Sequence, residues 1–257
     1  MTVWIDQPIW PAHGRLFAHL VSDLSYDELH IVARAAGLHP RAFDGDHYDV
    51  PEERWQQVVD AGATPTDGTD LIRRLNASGL RLRKRKGDRG LARLLDVPFP
   101  DGPSDVDLVA SDDPISADKV SAAMVFVRDR RGDFAVVHSI RRAEWGSPGG
   151  WREADETPVE NAVREAFEET GLRLRHSSVF PCGYERFTAK HDDSVFDPQA
   201  PFLQVYRTRL DDVRPPLTDG DDGIHETRWV TPEEYAVLCG HLFWWPLAVE
   251  VFPDLRA

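Results

Sequence analysis

The chain has 257 residues, of which 41% are hydrophobic and 29% charged, an ordinary balance for one large or two small globular domains. Its formal charge of −14 argues against non-specific binding to DNA or RNA, because the phosphates of a nucleic acid would be repelled. The two cysteines, Cys182 and Cys239, are too few for a disulfide framework.

The sequence also lacks the patterns of membrane insertion and export. No apolar run approaches the ~20 residues that are needed to span a bilayer. The N-terminal sequence has neither a basic start nor an apolar stretch, so it does not resemble a signal peptide. We therefore expect a cytoplasmic protein without a membrane partner, and the sequence leaves a homodimer open.

Residues 1–90 are predicted to form a small α/β domain. Val3–Ile5 is a short strand candidate. Ser25 and Glu28 form a capping-box pair at the start of a helix that Gly37 ends. Three helices are expected in all, from Ser25 to Ala36, from near Pro51 to just before Gly62, and from Thr69 to Ala77.

Residues 91–118 are predicted to be an acidic linker. Six aspartates and no basic residue lie between Asp101 and Asp118, with Pro103 and Pro114 among them. A stretch of this composition is expected to bury little surface. The second domain is therefore expected to cover residues 119–257.

The second domain begins with strand patterns. A continuous apolar run covers residues 122–127, and a turn at residues 130–133 leads to a second strand from Phe134 to Val137. Further strands are expected from Phe202 to Leu210 and from Thr227 to Val230, and a helix from Pro232 to Leu238.

The most informative helix runs from Thr157 to Gly171. Thr157 is a good N-cap, Pro158 suits the first helical position, and Glu160 completes a capping box. Three carboxylates share one face and would repel one another on a bare helix: Glu165, Glu168 and Glu169. Mg²⁺ takes oxygen ligands of this kind, so the face suits a metal site. The alternative is a solvated acidic surface.

The residues around this helix resemble the Nudix box. That pattern runs glycine, five residues, glutamate, seven residues, and then arginine, glutamate, an apolar residue, any residue, two glutamates, any residue, glycine and an apolar residue. The positions that match are Gly150, Glu156, Arg164, Glu165, Glu168, Glu169, Gly171 and Leu172. Ala166 is smaller than the usual aliphatic residue, which affects packing and not catalysis. The resemblance covers about residues 119–252.

The resemblance implies an α/β (α+β) fold, a Nudix α/β/α sandwich with a mixed sheet. It also implies Mg²⁺, or Mn²⁺ in its place, on Glu165, Glu168 and Glu169, with one of these or a later glutamate deprotonating the attacking water. Arg164 and Glu156 are implied to form a supporting ion pair. Glu226 is our candidate for the later glutamate, and a purely structural strand residue is the alternative.

The resemblance further implies a pyrophosphohydrolase that acts on a nucleoside diphosphate derivative, such as ADP-ribose or a nucleotide sugar. The sequence does not select among these substrates. Phe187, Tyr184 or Trp151 is expected either to stack on a base or to pack in the core. The alternative function is a nucleotide- or ADP-ribose-sensing module without turnover, although the box is complete and no helix-turn-helix pattern accompanies it.

Residues 1–88 resemble the DUF4031 family, whose name implies no activity. The residues that carry this resemblance include the segments 6–11, 13–15, 19–23 and 44–51. The first hypothesis is a site for an anionic or sugar-phosphate ligand, formed by His13, Arg15, His19, Arg41, His47 and Tyr48, and Asp46 is a further candidate site residue. A metal site of His19 and Asp23 with Asp44 or Asp46 is the second hypothesis. In the third, these residues form a turn and pack without a ligand.

Overall fold

The computed structural model describes residues 2–139, 143–192, 194–218, 220 and 225–256. The chain divides into two compact units, Met1–Leu95 and Asp96–Ala257. Each unit has its own core. Among the described residues, no helix is long and apolar enough to cross a membrane.

The first unit is built on a mixed sheet. Its strands are β1 (Val3–Ile5), β2 (Trp10–Ala12), β3 (Arg15–Ser22), β4 (Tyr48–Pro51) and β5 (Thr64–Pro65). The order is β2-β3-β1-β5, β4 also pairs with β3, and β1 and β5 run parallel. Strand β3 was not expected from the sequence, although it pairs with β1, β2 and β4. Its inner residues, such as Ala18 and Leu20, are fully buried.

The helices of this unit are α1 (Tyr26–Ala35), α2 (Trp55–Asp60) and α3 (Gly68–Ala77). The Ser25 side chain accepts a hydrogen bond from the Glu28 N–H at 3.3 Å, as the cap predicted. The Glu28 carboxylate instead accepts from Thr2 N at 3.1 Å and from Ser22, so only half of the expected capping box forms. A 3₁₀ turn, Glu52–Arg54, precedes α2 and accounts for its late start.

The prediction of a linker at residues 91–118 is wrong, because strands occupy much of this stretch. Strand β6 (Arg89–Val97) crosses the boundary between the units, and β7 (Ser104–Ala110) lies in the sheet of the second unit. Val106 and Leu108 are fully buried. Two of the six aspartates that suggested a solvated linker are also buried, and both are in ion pairs: Asp105 with Lys190 at 2.8 Å and Asp107 with Arg186 at 3.4 Å.

The second unit contains a mixed sheet, as expected. Its further strands are β8 (Val120–Arg128), β9 (Phe134–Ser139), β10 (Glu144–Gly146), β11 (Gly149–Trp151), β12 (Phe180–Ala189), β13 (Phe202–Arg209) and β14 (His225–Val230). The order is β10-β9-β8-β13-β12-β7, with β11 on β8 and β14 on β9. Strands β8 and β13 are parallel, and the other neighbours are antiparallel.

Helices cover both faces of this sheet. Helix α4 (Pro158–Thr170) packs Ala162 and Ala166 against Ala123 and Val125 of β8. The opposite face meets α5 (Pro232–Cys239) and α6 (Trp245–Val251). There Tyr235 stacks on Phe134, with ring centroids 4.2 Å apart, and Leu247 lies against Gly183. The α/β/α sandwich predicted from the sequence is confirmed.

Candidate active site

Helix α4 is fixed at both ends by the residues that predicted it. Thr157 Oγ1 accepts a hydrogen bond from Glu160 N at 3.3 Å, and the Glu160 carboxylate accepts from Thr157 N at 2.7 Å. At the other end Gly171 adopts a left-handed conformation with φ of 74° and donates its N–H to Phe167 O at 2.8 Å. Glycine takes this conformation without strain. The side chains of α4 therefore start from a well-defined backbone.

Arg164 lies at the centre of the acidic side chains. Its Nε donates to Glu156 at 2.7 Å, and its Nη1 donates to Glu165 at 2.9 Å and to Glu168 at 2.7 Å. Its Nη2 donates to Trp151 O at 3.0 Å. These acceptors raise the pKa of Arg164, beginning with the hydrogen bond to Glu156, and that bond in turn lowers the pKa of Glu156. The arginine thus offsets repulsion among the carboxylates and ties the loop to the helix.

The three candidate ligands on α4 differ in their surroundings. The Glu165 side chain is only 12% exposed, and this burial raises its pKa despite the neighbouring Arg164. Glu168 is half exposed. Glu169 accepts a hydrogen bond from Gly149 N at 3.0 Å. One carboxylate is therefore held inside, one at the surface, and one against the backbone of β11.

Two glycines of β11 bring its backbone close to α4. A Cβ on Gly150 would lie 2.6 Å from Cδ of Glu165, and one on Gly149 would lie 2.6 Å from Ala123 O. Real Cβ atoms essentially never approach other atoms so closely. A side chain at residue 150 would therefore displace the Glu165 carboxylate, which is the far end of a flexible side chain, whereas one at residue 149 would meet the backbone of β8.

Glu226 is placed apart from this group. It is exposed on β14 and lies opposite His138 of β9. The register puts both residues on the sheet face away from α4, because Ala135 of β9 packs with α4 and alternate residues point to opposite faces. These positions favour the structural alternative for Glu226.

The aromatic candidates are also separated by the sheet. Tyr184 is 1% exposed and packs edge-on against Phe202, so the expectation that it stacks on a base is corrected. Phe187 is buried on the other face, stacked on Phe196 with centroids 3.9 Å apart. Trp151 is 50% exposed and lies 5.8 Å from Phe196. Trp151 is therefore the accessible ring of the three.

Glu185 is a buried carboxyl group that the sequence analysis missed. It lies on β12 and faces the same side as Phe187, and its Oε1 has no hydrogen-bond partner among the described residues. Burial raises its pKa to about 8. An acidic residue between Tyr184 and Phe187, within a strand of buried residues, is the pattern that marks it in the sequence.

The first unit brings some of its candidate residues together. His19 Nδ1 lies 3.0 Å from Asp6, and His47 Nδ1 lies 2.6 Å from Asp46, with the two imidazole rings 5.3 Å apart. Asp49 is a further member, 3.5 Å from His47 Nε2. Asp6 and Asp49 were missed because the strand register that places them is not visible in the sequence.

Other candidates in this unit lie elsewhere. His13 and Arg15 are exposed at the turn between β2 and β3, where Arg15 pairs with Glu53 at 2.7 Å. The hypothesis of a His19–Asp23 site is wrong, because it needs a helix where β3 is extended. Asp23 instead accepts a hydrogen bond from Trp4 Nε1 at 2.9 Å. Asp44, proposed beside it, pairs with Lys84 at 2.9 Å.

The charge on His47 follows from its two carboxylate neighbours. Burial opposes the protonated ring, but the hydrogen bonds to Asp46 and Asp49 outweigh burial and raise its pKa to about 9. Asp6 shows the same balance for a negative charge. Burial favours its neutral form, but hydrogen bonds from His19 and Trp10 keep its pKa lowered.

The family profile described as "NUDIX domain" matches residues 118–254, which is more than half of the chain. The chain belongs to the Nudix family. A second profile, "Protein of unknown function (DUF4031)", matches residues 3–78. The resemblances of both parts are thereby confirmed, and the Nudix domain coincides with the second unit apart from its first strands.

Among curated proteins, the chain is similar to Phosphatase NudJ of Escherichia coli strain K12 and of Shigella flexneri. Each is 37% identical over 106 residues, which cover 40% of this chain and 63% of the relative. Among solved structures, it is similar to a C. elegans Ap4A hydrolase, with 15% identity, a TM-score of 0.39, and coverage of 52% of this chain and 97% of that one.

It is also similar to the Nudix domain of Shewanella oneidensis NrtR, solved with ADP ribose. The identity is 12%, the TM-score 0.39, and the coverage 52% of this chain and 88% of that one. With TM-scores below 0.5, neither structural similarity carries an argument about function. The Nudix family generally uses a divalent metal, and its glutamates are present here on α4.

Proposed function

We propose that the Nudix domain hydrolyses a pyrophosphate bond in a nucleoside diphosphate derivative, with Mg²⁺ held by Glu165, Glu168 and Glu169. Mn²⁺ is expected to support the same reaction in place of Mg²⁺. The observation that carries the proposal is the arrangement of these carboxylates on one capped helix, where Glu165 and Glu168 accept hydrogen bonds from Arg164 and Glu169 accepts one from Gly149 N. NudJ, to which this part of the chain is similar, is named a phosphatase.

The side chains fit a hard divalent cation. They supply carboxylate oxygens only, which is the donor set that Mg²⁺ prefers. Glu165 is largely withdrawn from water, whereas Glu168 is half exposed, so the group reaches from the interior to the surface. When bound, the cation would neutralise substrate phosphate and favour an attacking hydroxide.

Residues of the chain position the loop and the carboxylates. Arg164 holds Glu156 and the Trp151 carbonyl, which fixes the loop over the start of α4. The Gly149 N–H orients Glu169. We assign proton acceptance from water to a carboxylate oxygen of an α4 glutamate and not to Glu226, which lies on the other face of the sheet. Trp151 is the exposed ring beside this loop and our candidate for contact with the base.

The test is a substrate screen with chelator-treated full-length protein. The panel contains ADP-ribose, NADH, dinucleoside polyphosphates, nucleotide sugars and damaged nucleoside triphosphates, each with and without added Mg²⁺. We expect turnover of at least one compound with Mg²⁺ and its loss in Glu168→Gln. Glu233→Gln is the matched control, because Glu233 is an exposed glutamate on α5.

Activity that survives Glu168→Gln would contradict the assignment of the metal site. Tight binding of ADP-ribose without turnover of any compound would contradict the hydrolase proposal and favour the sensing module. Turnover that does not respond to Mg²⁺ or Mn²⁺ would contradict the choice of metal.

A further inference from the structure

The first unit, Met1–Leu95, contains the match to DUF4031 and is called the DUF4031 unit. In it, histidine and aspartate side chains are arranged around a common point. Strands β3 and β4 pair so that His19 lies directly opposite Asp49, and His47 immediately precedes β4. One donor atom from each of His19, His47 and Asp49 lies within 4.8 Å of the other two. Residues from two strands and a loop thus converge.

Each imidazole is oriented by a buried aspartate behind it. Asp6 faces His19 Nδ1 at 3.0 Å and also accepts the His19 backbone N–H at 2.6 Å. Asp46 faces His47 Nδ1 at 2.6 Å and accepts Leu82 N at 2.8 Å. With Nδ1 bonded to carboxylate on both rings, Nε2 is the nitrogen left to bind a ligand. Protein metal sites commonly orient histidine ligands through carboxylates in this way.

The exposure of the cluster allows a ligand to enter. The side chains of His19, His47 and Asp49 are 29%, 15% and 48% exposed. Trp10 lies beside the cluster, with its ring 5.4 Å from that of His19 and its Nε1 bonded to Asp6. The supporting aspartates are buried while the three donors reach solvent, as expected for a site with an inner scaffold and an open side.

We propose that the DUF4031 unit binds one divalent transition metal through Nε2 of His19, Nε2 of His47 and the carboxylate of Asp49. Two imidazoles and one carboxylate suit Zn²⁺ and its neighbours better than Mg²⁺. Three protein ligands leave a coordination position for water or an anionic group. Asp6 and Asp46 are positioning residues. The site is independent of the glutamates on α4, which offer oxygen alone.

The competing explanation is an ion pair without metal. In that case His47 is an imidazolium ion between Asp46 and Asp49, and His19 is held by Asp6 alone. The basic groups near the cluster are Arg81, 3.4 Å from Asp46, and Lys84, which pairs with Asp44. Only the metal site predicts tight metal binding that requires Asp49 and both Nε2 atoms together.

The test measures Zn²⁺ and Co²⁺ binding by chelator-stripped full-length protein. Zn²⁺ affinity is measured by competition with a chromophoric chelator, and Co²⁺ is followed by its visible absorption, which is stronger for nitrogen-ligated sites of low coordination number than for six oxygens. We expect one equivalent of tight binding that persists in Glu168→Gln. Asp49→Asn and His19→Gln should weaken it by more than about 10-fold, and Asp6→Asn by about 10- to 100-fold.

Asp60→Asn and His13→Asn are the controls, because both residues are exposed in the same unit and outside the cluster. Asn suits the positive φ of 49° at residue 13. Circular dichroism checks folding, and the half-exposed Asp49 keeps the test decisive if a histidine variant fails to fold. Absence of tight binding, or equal affinity in Asp49→Asn and the controls, would overturn the proposal in favour of the ion pair.

Discussion

Replacing Glu185 by glutamine should stabilise the second unit at alkaline pH and change it little at pH 5. Glu185 is buried on β12, and its Oε1 has no hydrogen-bond partner among the described residues. Burial raises its pKa from 4.5 to about 8. The folded chain therefore keeps this carboxyl group protonated through neutral pH, and glutamine imitates that neutral form.

The magnitude follows from the difference between the folded and unfolded pKa. The pKa of Glu185 is higher in the folded chain than in the unfolded chain. Its contribution to the free energy of unfolding is therefore fully present below the unfolded pKa and is lost as the pH rises towards about 8. Each pH unit in this window lowers the free energy of unfolding by about 1.4 kcal/mol. At pH 7 the loss is therefore roughly 3 kcal/mol, and above pH 8 it approaches about 5 kcal/mol. Glu185→Gln removes this loss.

The assay is urea unfolding of wild type and Glu185→Gln at pH 5, 7 and 8.5, followed by tryptophan fluorescence. The two proteins should have similar midpoints at pH 5, and the variant should have the higher midpoint at pH 8.5. Glu233→Gln controls for the loss of one exposed carboxylate. A difference in stability that stays constant from pH 5 to pH 8.5 would refute the reasoning, because Glu185 would then not change its protonation on unfolding.

Three further substitutions test the site around α4. Arg164→Lys keeps the charge but loses the fork that holds Glu156, so kcat/KM should fall by about 10- to 100-fold, and an unchanged value would show that these contacts are dispensable. Gly150→Ala places a methyl group 2.6 Å from Cδ of Glu165, so steady-state turnover should fall far more than thermal stability, whereas wild-type turnover would contradict the close approach. Thr157→Ala removes the cap of α4 and should lower the free energy of unfolding by about 1 kcal/mol in urea titrations, and no change would mean that the cap is replaced by water.

Local signals made the candidate site largely predictable. The cap, the first-turn proline and the terminal glycine of α4 act within one helix, so Thr157 and Gly171 define it from the sequence alone. The helical period likewise places Glu165, Glu168 and Glu169 near Arg164. The ion pair between Arg164 and Glu156 needed the family resemblance, because the two residues lie on different elements.

The remaining features depend on contacts between distant parts of the chain. Asp6 and Asp49 join His19 only through strand pairing, which no short-range pattern reports. Glu185 is buried because its side chain lies on the face of β12 that packs against aromatic residues. The strand order that determines this packing cannot be predicted from the sequence. The sequence did not indicate strand β7 because of its aspartates. Charged residues normally indicate exposure to solvent, but the aspartates of β7 form ion pairs with Lys190 and Arg186.

Strand β7 has a practical consequence for cutting the chain into parts. The family profile begins at residue 118, beyond the end of β7, and invites a fragment that starts there. Such a fragment would leave the backbone N–H and C=O groups along β12 without their neighbour, and an unpaired edge of this length is a template for aggregation. It would also leave Arg186 and Lys190 without their buried partners. A fragment that keeps the second unit whole has to begin no later than Asp96.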